Sequence, residues 1–375
     1  MITSRAEFYA LEHEWNALFE RSGRPWQIFQ SFNWLWHWAN HYLDDHTGLS
    51  IVAGWQEDRL VMLWPLLVRR VAGLTQVSWM GEPVSEYGDV LLEQTAHARD
   101  LLCQAWAFVK SLDVDVVYLR KVRHDAVVFP FLVETGVISI GSSSAPYLDL
   151  ASAKDFETYE RRYPAKTRSG RRRRLRRLNE MGSVAFEQHT GGPTARDLVD
   201  QALVMKRGWL AQRGRLSPVL QDSRFGRFLG DVAQGHRRST GTRISAVRCN
   251  GRPIGVEISF ACKGHVFGHV IAHDLAFEKQ GVGVVLAQYS IRTAHEQGYD
   301  VFDLLAPDDA YKMNWADASI ALDDCAVPLS RTGRVYVHLW LRFARRWLKN
   351  LANRMPARVA AAISAVHRRV ASLAY

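Results

Sequence analysis

Three histidines spaced four residues apart, His265, His269 and His273, fall in a stretch that alternates like a β-strand. A strand repeats every two residues, so even spacing predicts one shared face. Imidazoles ionise near neutral pH and suit proton transfer, although two of the three could simply face solvent. Asp274 closes the same stretch. Glu257 is an isolated acid in an apolar run, which suits either acid–base work or a structural ion pair. Asp303 interrupts a second apolar run, where a buried carboxylate needs a partner; Lys312 is the best candidate. Gly281-Val282-Gly283, preceded by Lys279 and Gln280, opens a helical pattern. Free amides and the positive end of a helix dipole can hold a phosphate there, or the glycines can form an ordinary turn.

These residues need elements to position them. Residues 244–249 read as a strand ending at Asn250-Gly251, a strong hairpin signal. Residues 253–260 return, Lys263-Gly264 turns again, and residues 265–272 form a third strand. The helix opened at Gly281 carries Val282, Val285, Leu286 and Tyr289 at helical spacing and ends at Gly298, before a buried strand over 299–305. The first half repeats this order: a hairpin of 50–55 and 59–68, a strand over 74–80, more sheet at 90–92, a helix over 96–111 and a strand over 114–119. An offset of about 190 residues between matching elements suggests a duplicated α+β domain, two unrelated α+β domains being the alternative.

Particular residues resemble a known family. Phe29-Gln30-Ser31, Trp34, Trp38, Trp64-Pro65-Leu66, Arg69-Arg70, Gly81 and Tyr87-Gly88-Asp89 resemble the N-terminal half of the CelD-like acetyltransferases. In the second half the resemblance runs through residues 166–177, Gly208-Trp209, Gly251-Arg252-Pro253, His273-Asp274, Phe277, Gly281-Val282-Gly283, Asp303, Asp309, Tyr311-Lys312 and Trp315. The family is related to FemAB-like aminoacyl transferases and associated with bacterial exopolysaccharide synthesis. The resemblance implies tandem GNAT-like domains, with mixed, mostly antiparallel sheets flanked by helices, and acetyl-CoA as acyl donor. It further implies a cofactor loop of Lys279, Gln280, Gly281, Val282 and Gly283. By the resemblance Lys312 would stabilise the oxyanion and Tyr311 would donate a proton to the thiolate, while His269, Asp274 and Asp303 are catalytic candidates by their strand positions. Many relatives have Ser-Pro-Gly at 281–283 and an aromatic residue at 269. The first difference is tolerable in a loop that works through backbone amides, and the second leaves the base open.

Charge divides the 375-residue chain, whose net charge is +10. Residues 161–177 hold ten cations and no acid; residues 325–375 hold ten more, again with no acid. The remaining 28 cations face 38 acids, so the body is acidic and DNA is not an expected partner. The first block reads as an exposed helix whose Arg171, Arg172 and Arg174, with Trp209, recognise an anionic acceptor such as a phosphorylated amino sugar, a glycolipid or a nucleotide. In the second, Trp340, Phe343, Ala344, Trp347, Leu348 and Leu351 share a helical face opposite Arg342, Arg345, Arg346 and Lys349. This predicts a basic amphipathic helix lying on an anionic inner-membrane surface.

Four scattered cysteines without CxxC suit a reducing compartment and no metal site. Arg5 and Glu7 argue against a secretory signal. The expectation is a cytoplasmic, peripherally membrane-bound N-acetyltransferase with domains at 1–150 and 151–330 and a tail at 331–375. An aminoacyl-tRNA-dependent transferase and a second-messenger-binding effector are the alternatives.

Overall fold

Pro65 cannot donate to a strand ladder, and it splits the apolar run 59–71 between two sheets. Strand Arg59–Trp64 pairs with Val52–Gln56 and Leu91–Leu92 in a three-stranded antiparallel sheet. Strand Leu66–Val71 pairs with Thr47–Leu49 and Leu74–Trp79. Leu74–Trp79 runs parallel to Val116–Arg123 after a crossover through helix Ala98–Ser111. Trp64 stacks on Trp106 of that helix in a core shared with Leu102 and Val117.

The computed structural model describes residues 1–71, 73–215, 217–235 and 240–344. They form two compact units: Met1–Ser144 with the described residues from Ile320 onward, and Ala145–Ser319. The expected boundary near 330 shifts, because strand Ala318–Pro328 pairs antiparallel with Val116–Arg123 and so completes the first unit's sheet. The tail begins as an α-helix over Arg331–Val335, capped by the Ser330 hydroxyl, and continues as a π-helix over Tyr336–Ala344. Val337 and Leu341 anchor it against Val116, Tyr118 and Ala326. Trp347, Leu348 and Leu351 lie outside the described residues.

The second unit repeats the first unit's course. Its sheet runs, in spatial order, from residues 145–149, the end of β1 (Ile138–Asp149), through β6 (Val301–Asp303), β5 (His265–His273), β4 (Arg252–Cys262) and β3 (Thr242–Cys249) to β2 (Val184–His189). All neighbours are antiparallel except β5 and β6. The helices are α1 (Phe156–Arg161), α2 (Ala165–Asn179), α3 (Pro193–Gln212), α4 (Ser223–Gln234), α5 (Val282–Glu296) and α6 (Ala310–Met313). Helix α5 forms the crossover between β5 and β6, packing Val282, Val285 and Leu286 with Ile254 and Leu178. The expected strand over 299–305 shortens to β6, since Leu305 turns to a φ of 59°.

Candidate active site

Strand β6 accompanies β5 only from His265 to Phe267 and then stops. Beyond that point β5 continues with an open edge. The Asp274 amide donates to the Ile254 carbonyl at 2.9 Å, so 254/274 and 256/272 are bonded pairs in the β4–β5 register. Bonded and non-bonded pairs alternate in an antiparallel ladder, so the backbone groups of Ile271 and His273 turn away from β4 toward the open side. On that side the Lys206 ammonium of α3 donates to the Ile271 carbonyl at 2.9 Å.

One end of this edge meets the start of α5. Gly281 has a φ of 77°, the left-handed region that favours glycine, and its carbonyl accepts from the Val284 and Val285 amides. The amides of Val282 and Gly283 have no acceptor among the described residues. Arg174 of α2 lies directly over the turn: a Cβ added at Gly281 would meet its Cδ at 2.5 Å. Arg174 is half-buried and forms no ion pair among the described residues. Two free amides, a helix dipole and an uncompensated guanidinium converge, a combination that suits a phosphate or diphosphate. Gln280 is half-buried beside the turn, whereas Lys279 is exposed.

A cavity of about 50 Å³ lies on the α5 face, walled by Ile271, Ala287, Ile291 and Phe302. Its polar groups are Glu257, Tyr311 and Lys312. Glu257 is 4 % exposed and its Oε1 has no hydrogen-bond partner. Burial pushes its carboxyl up to about 7. Arg243 opposes that rise, as does the Ser290 hydroxyl, which is too poorly placed for a full hydrogen bond. Tyr311 is 38 % exposed, but its hydroxyl end donates to the Gly283 carbonyl at 3.3 Å, and desolvation there, followed by the Glu257 charge, raises its pKa. Lys312 Nζ donates to the Leu305 carbonyl at 2.9 Å, while Asp303 Oδ1 accepts from the Leu305 amide at 2.7 Å. Asp303 and Lys312, expected as partners, thus both hold the backbone of the left-handed Leu305, one at its amide and one at its carbonyl.

The three histidines separate. A register shift beside Gly268 places a bulge at His269 and breaks the even alternation. His269 stacks on Phe225 of α4 and meets the edge of Phe260, on the face opposite Glu257. His273 stays on the α5 face, its Nδ1 3.3 Å from a Cβ added at Gly283. Burial depresses its pKa, and Lys206 and Arg213 add to this against Glu278. His265 sits at the β5 start, where β6 still pairs. Asp274 caps the 3-10 turn Leu275–Gln280 through Oδ1 and pairs with Arg252 through Oδ2, which leaves it a structural task.

Arg171 departs from the expectation of an exposed row. It is 3 % exposed, stacked 3.7 Å over Trp315 and 4.0 Å over Tyr163, with Glu160 3.6 Å away. A planar, weakly hydrated guanidinium tolerates this burial between aromatic faces. Arg172, Arg173 and Arg177 do face solvent, without ion pairs among the described residues. Trp209 lies between Lys206, at 5.2 Å, and Arg213, at 4.0 Å.

Sequence reasoning missed Lys206. Its signal was position: it continues the buried α3 stripe of Leu198, Val199, Ala202 and Leu203 at helical spacing. Burial lowers its pKa, as does the neighbouring Lys312 charge, against Asp309. Among the described residues no cluster of three or more His, Cys, Asp or Glu could hold a metal ion.

Comparison with known proteins gives this arrangement a class. Residues 165–313 match the family described as an acetyltransferase (GNAT) domain, and the cradle residues with Glu257, Tyr311 and Lys312 of the cavity fall inside that span. The fold is similar to FemX (10 % identity, TM-score 0.56, covering 81 % of this chain and 93 % of that one). It is also similar to L-PGS from Bacillus licheniformis (13 %, 0.55, 88 % and 96 %). A third similar structure is the C-terminal DUF2156 domain of a candidate lysylphosphatidylglycerol synthetase from Agrobacterium fabrum (12 %, 0.54, 88 % and 94 %). Identities this low show the fold alone. No curated protein matches the sequence. The chain therefore has an α+β, GNAT acyltransferase-like fold with the same strand–helix–strand course in both units.

Proposed function

We propose that the second unit transfers an acyl group, most simply acetyl, from coenzyme A to an amine of low basicity. The observation that carries this is the open β5 edge, which runs from the cationic start of α5 to the cavity holding Glu257. The Val282 and Gly283 amides with Arg174 would hold the diphosphate, and the outward backbone groups of Ile271 and His273 would align the donor's amide-bearing arm. When bound, acetyl-CoA supplies a thioester whose carbonyl carbon accepts the amine and whose sulfur leaves as thiolate.

Glu257 takes the amine's proton, its carboxyl at about 7 being partly ionised at neutral pH. Lys312, with Lys206 close by, places positive charge beside the carbonyl oxygen as negative charge develops there. Tyr311, its hydroxyl kept protonated, returns a proton to the leaving sulfur. The Glu257 value also bears on the acceptor. An amine near pKa ~8 surrenders its proton to such a base at little cost, whereas a lysine-like amine near ~10.4 demands about 4–5 kcal/mol. An amino sugar of an envelope polysaccharide or its lipid-linked precursor fits, as does the resemblance to exopolysaccharide enzymes. The exposed Arg172, Arg173 and Arg177 would favour a phosphorylated form.

The same exposed arginines favour one second reading, an aminoacyl-tRNA donor. Calorimetry with acetyl-CoA, followed by thiol release in the presence of glucosamine, tests the first. Saturable binding and amine-dependent thiol release are expected. Failure of both, with transfer from charged tRNA instead, would establish the second reading.

A further inference from the structure

We infer that the helical tail over residues 331–344 docks the first unit onto a lipid bilayer surface carrying anionic headgroups. The tail presents two opposed apolar faces. One is occupied: Val337 is fully buried and Leu341 is 2 % exposed, both packed with Val116, Tyr118 and Ala326. The other is bare. Val335 is 59 % exposed, Leu339 61 %, Trp340 38 % and Phe343 63 %. Four large apolar side chains within nine residues, uncovered on a helix that is itself anchored, call for an apolar contact outside the fold.

Charge chooses between occupants. Arg331, Arg334 and Arg342 are exposed along the same stretch, and none forms an ion pair among the described residues. From Cys325 to the C-terminus the sequence contains ten cations and no acid. A second copy of this chain would bring the same uncompensated cations to the contact. An anionic leaflet offers both required features, headgroup charge for the arginines and acyl carbon for the aromatic rings, with Trp340 suited to the boundary. No described helix is long and apolar enough to cross a membrane, so attachment would lie in the plane of the surface. Val337 and Leu341 fix the bare face to the sheet of the first unit and so hold that unit to the bilayer.

The test is co-sedimentation of the full chain with phosphatidylcholine vesicles, with and without phosphatidylglycerol. Sedimentation only with the anionic vesicles, weakening as salt is added, is expected. Replacing both Trp340→Ser and Phe343→Ser should lower partitioning on the order of 100-fold, through lost apolar contact. Arg342→Glu should lower it about 30-fold, through a two-unit change of charge. These side chains are exposed, so thermal unfolding should stay at the wild-type midpoint. Should the double variant nevertheless unfold, Arg342→Glu carries the test alone. Unchanged sedimentation of folded variants would overturn the proposal, as would equal binding to neutral vesicles. So would a lipid-free wild-type dimer that the double variant converts to monomer, which would make this face a contact between chains.

Discussion

Asp89 in the first unit and Glu257 in the second are both buried carboxylates, and the two are treated oppositely. In the first unit Asp89 is fully buried, and burial raises its pKa. It nevertheless accepts hydrogen bonds from the Val90, Val127 and Val128 amides, Gln27 Nε2 and Trp26 Nε1, at 2.8–3.3 Å. In the second unit Glu257 is equally buried, yet Oε1 has no partner and faces a cavity. The helices after the two meanders differ in the same sense. Ala98–Ser111 carries Asp100 in its first turn, which already answers the dipole, whereas α5 has no acid there and lies under Arg174. A shared topology thus satisfies the buried carboxylate in one unit and leaves it partly unpartnered in the other. The difference lies at these two carboxylates and these two helix starts, filled in the first unit and unfilled in the second.

The sharpest way to break this comparison is to fill Glu257's role with an isostere. Glu257→Gln should lower kcat by about 10²–10⁴-fold and abolish the acid limb of the rate profile, which in the wild type should rise through a midpoint near 7. Stability should move the other way. A carboxyl whose folded pKa lies near 7 rather than 4.5 stabilises the folded state at low pH and progressively loses that contribution as pH rises between those values. The Gln variant should therefore unfold later than the wild type at pH 8, by up to about 3 kcal/mol. Denaturant titrations at pH 4 and pH 8 read the difference directly, and equal stabilities at both pH values would remove the case for a strained carboxyl.

Asp89→Ala should do the converse. It strips the Val127 and Val128 amides of their acceptor and should cost about 3–5 kcal/mol of stability, while acetyl-CoA affinity, measured below the new midpoint, stays within twofold. Arg174→Ala comes next in size. It removes the guanidinium over the Gly281 turn and should weaken acetyl-CoA binding by about 10–100-fold without shifting the melting temperature. Unchanged affinity would show that the start of α5 carries no phosphate.

The contrast between the units was only half legible beforehand. Hairpin signals, Gly281 and Gly298 exposed the repeated course, because turns and helix ends are written locally. Pro65 was visible, yet its consequence, two strands serving two sheets, depends on partners far along the chain. The bulge at His269 inserts one residue into an otherwise regular alternation and leaves no compositional trace. Arg171 hid among arginines, because Tyr163 and the distant Trp315 bury it. Glu257 and Lys206 did leave a trace, each a charge within an apolar pattern, but only the fold shows which charges are paired.

The smallest test concerns the first unit. If Asp100 occupies the role that an anionic ligand takes at α5, removing it should not create a site. Asp100→Ala should cost about 0.5 kcal/mol or less, since a largely exposed carboxylate near a helix start is screened by water and salt. The helix would still begin at His97 without a glycine turn. Calorimetry should therefore find one acetyl-CoA per chain in both the variant and the wild type. A second binding event in the variant would mean that first-turn charge alone separates the units. A single event would assign the difference to backbone geometry and Arg174 acting together.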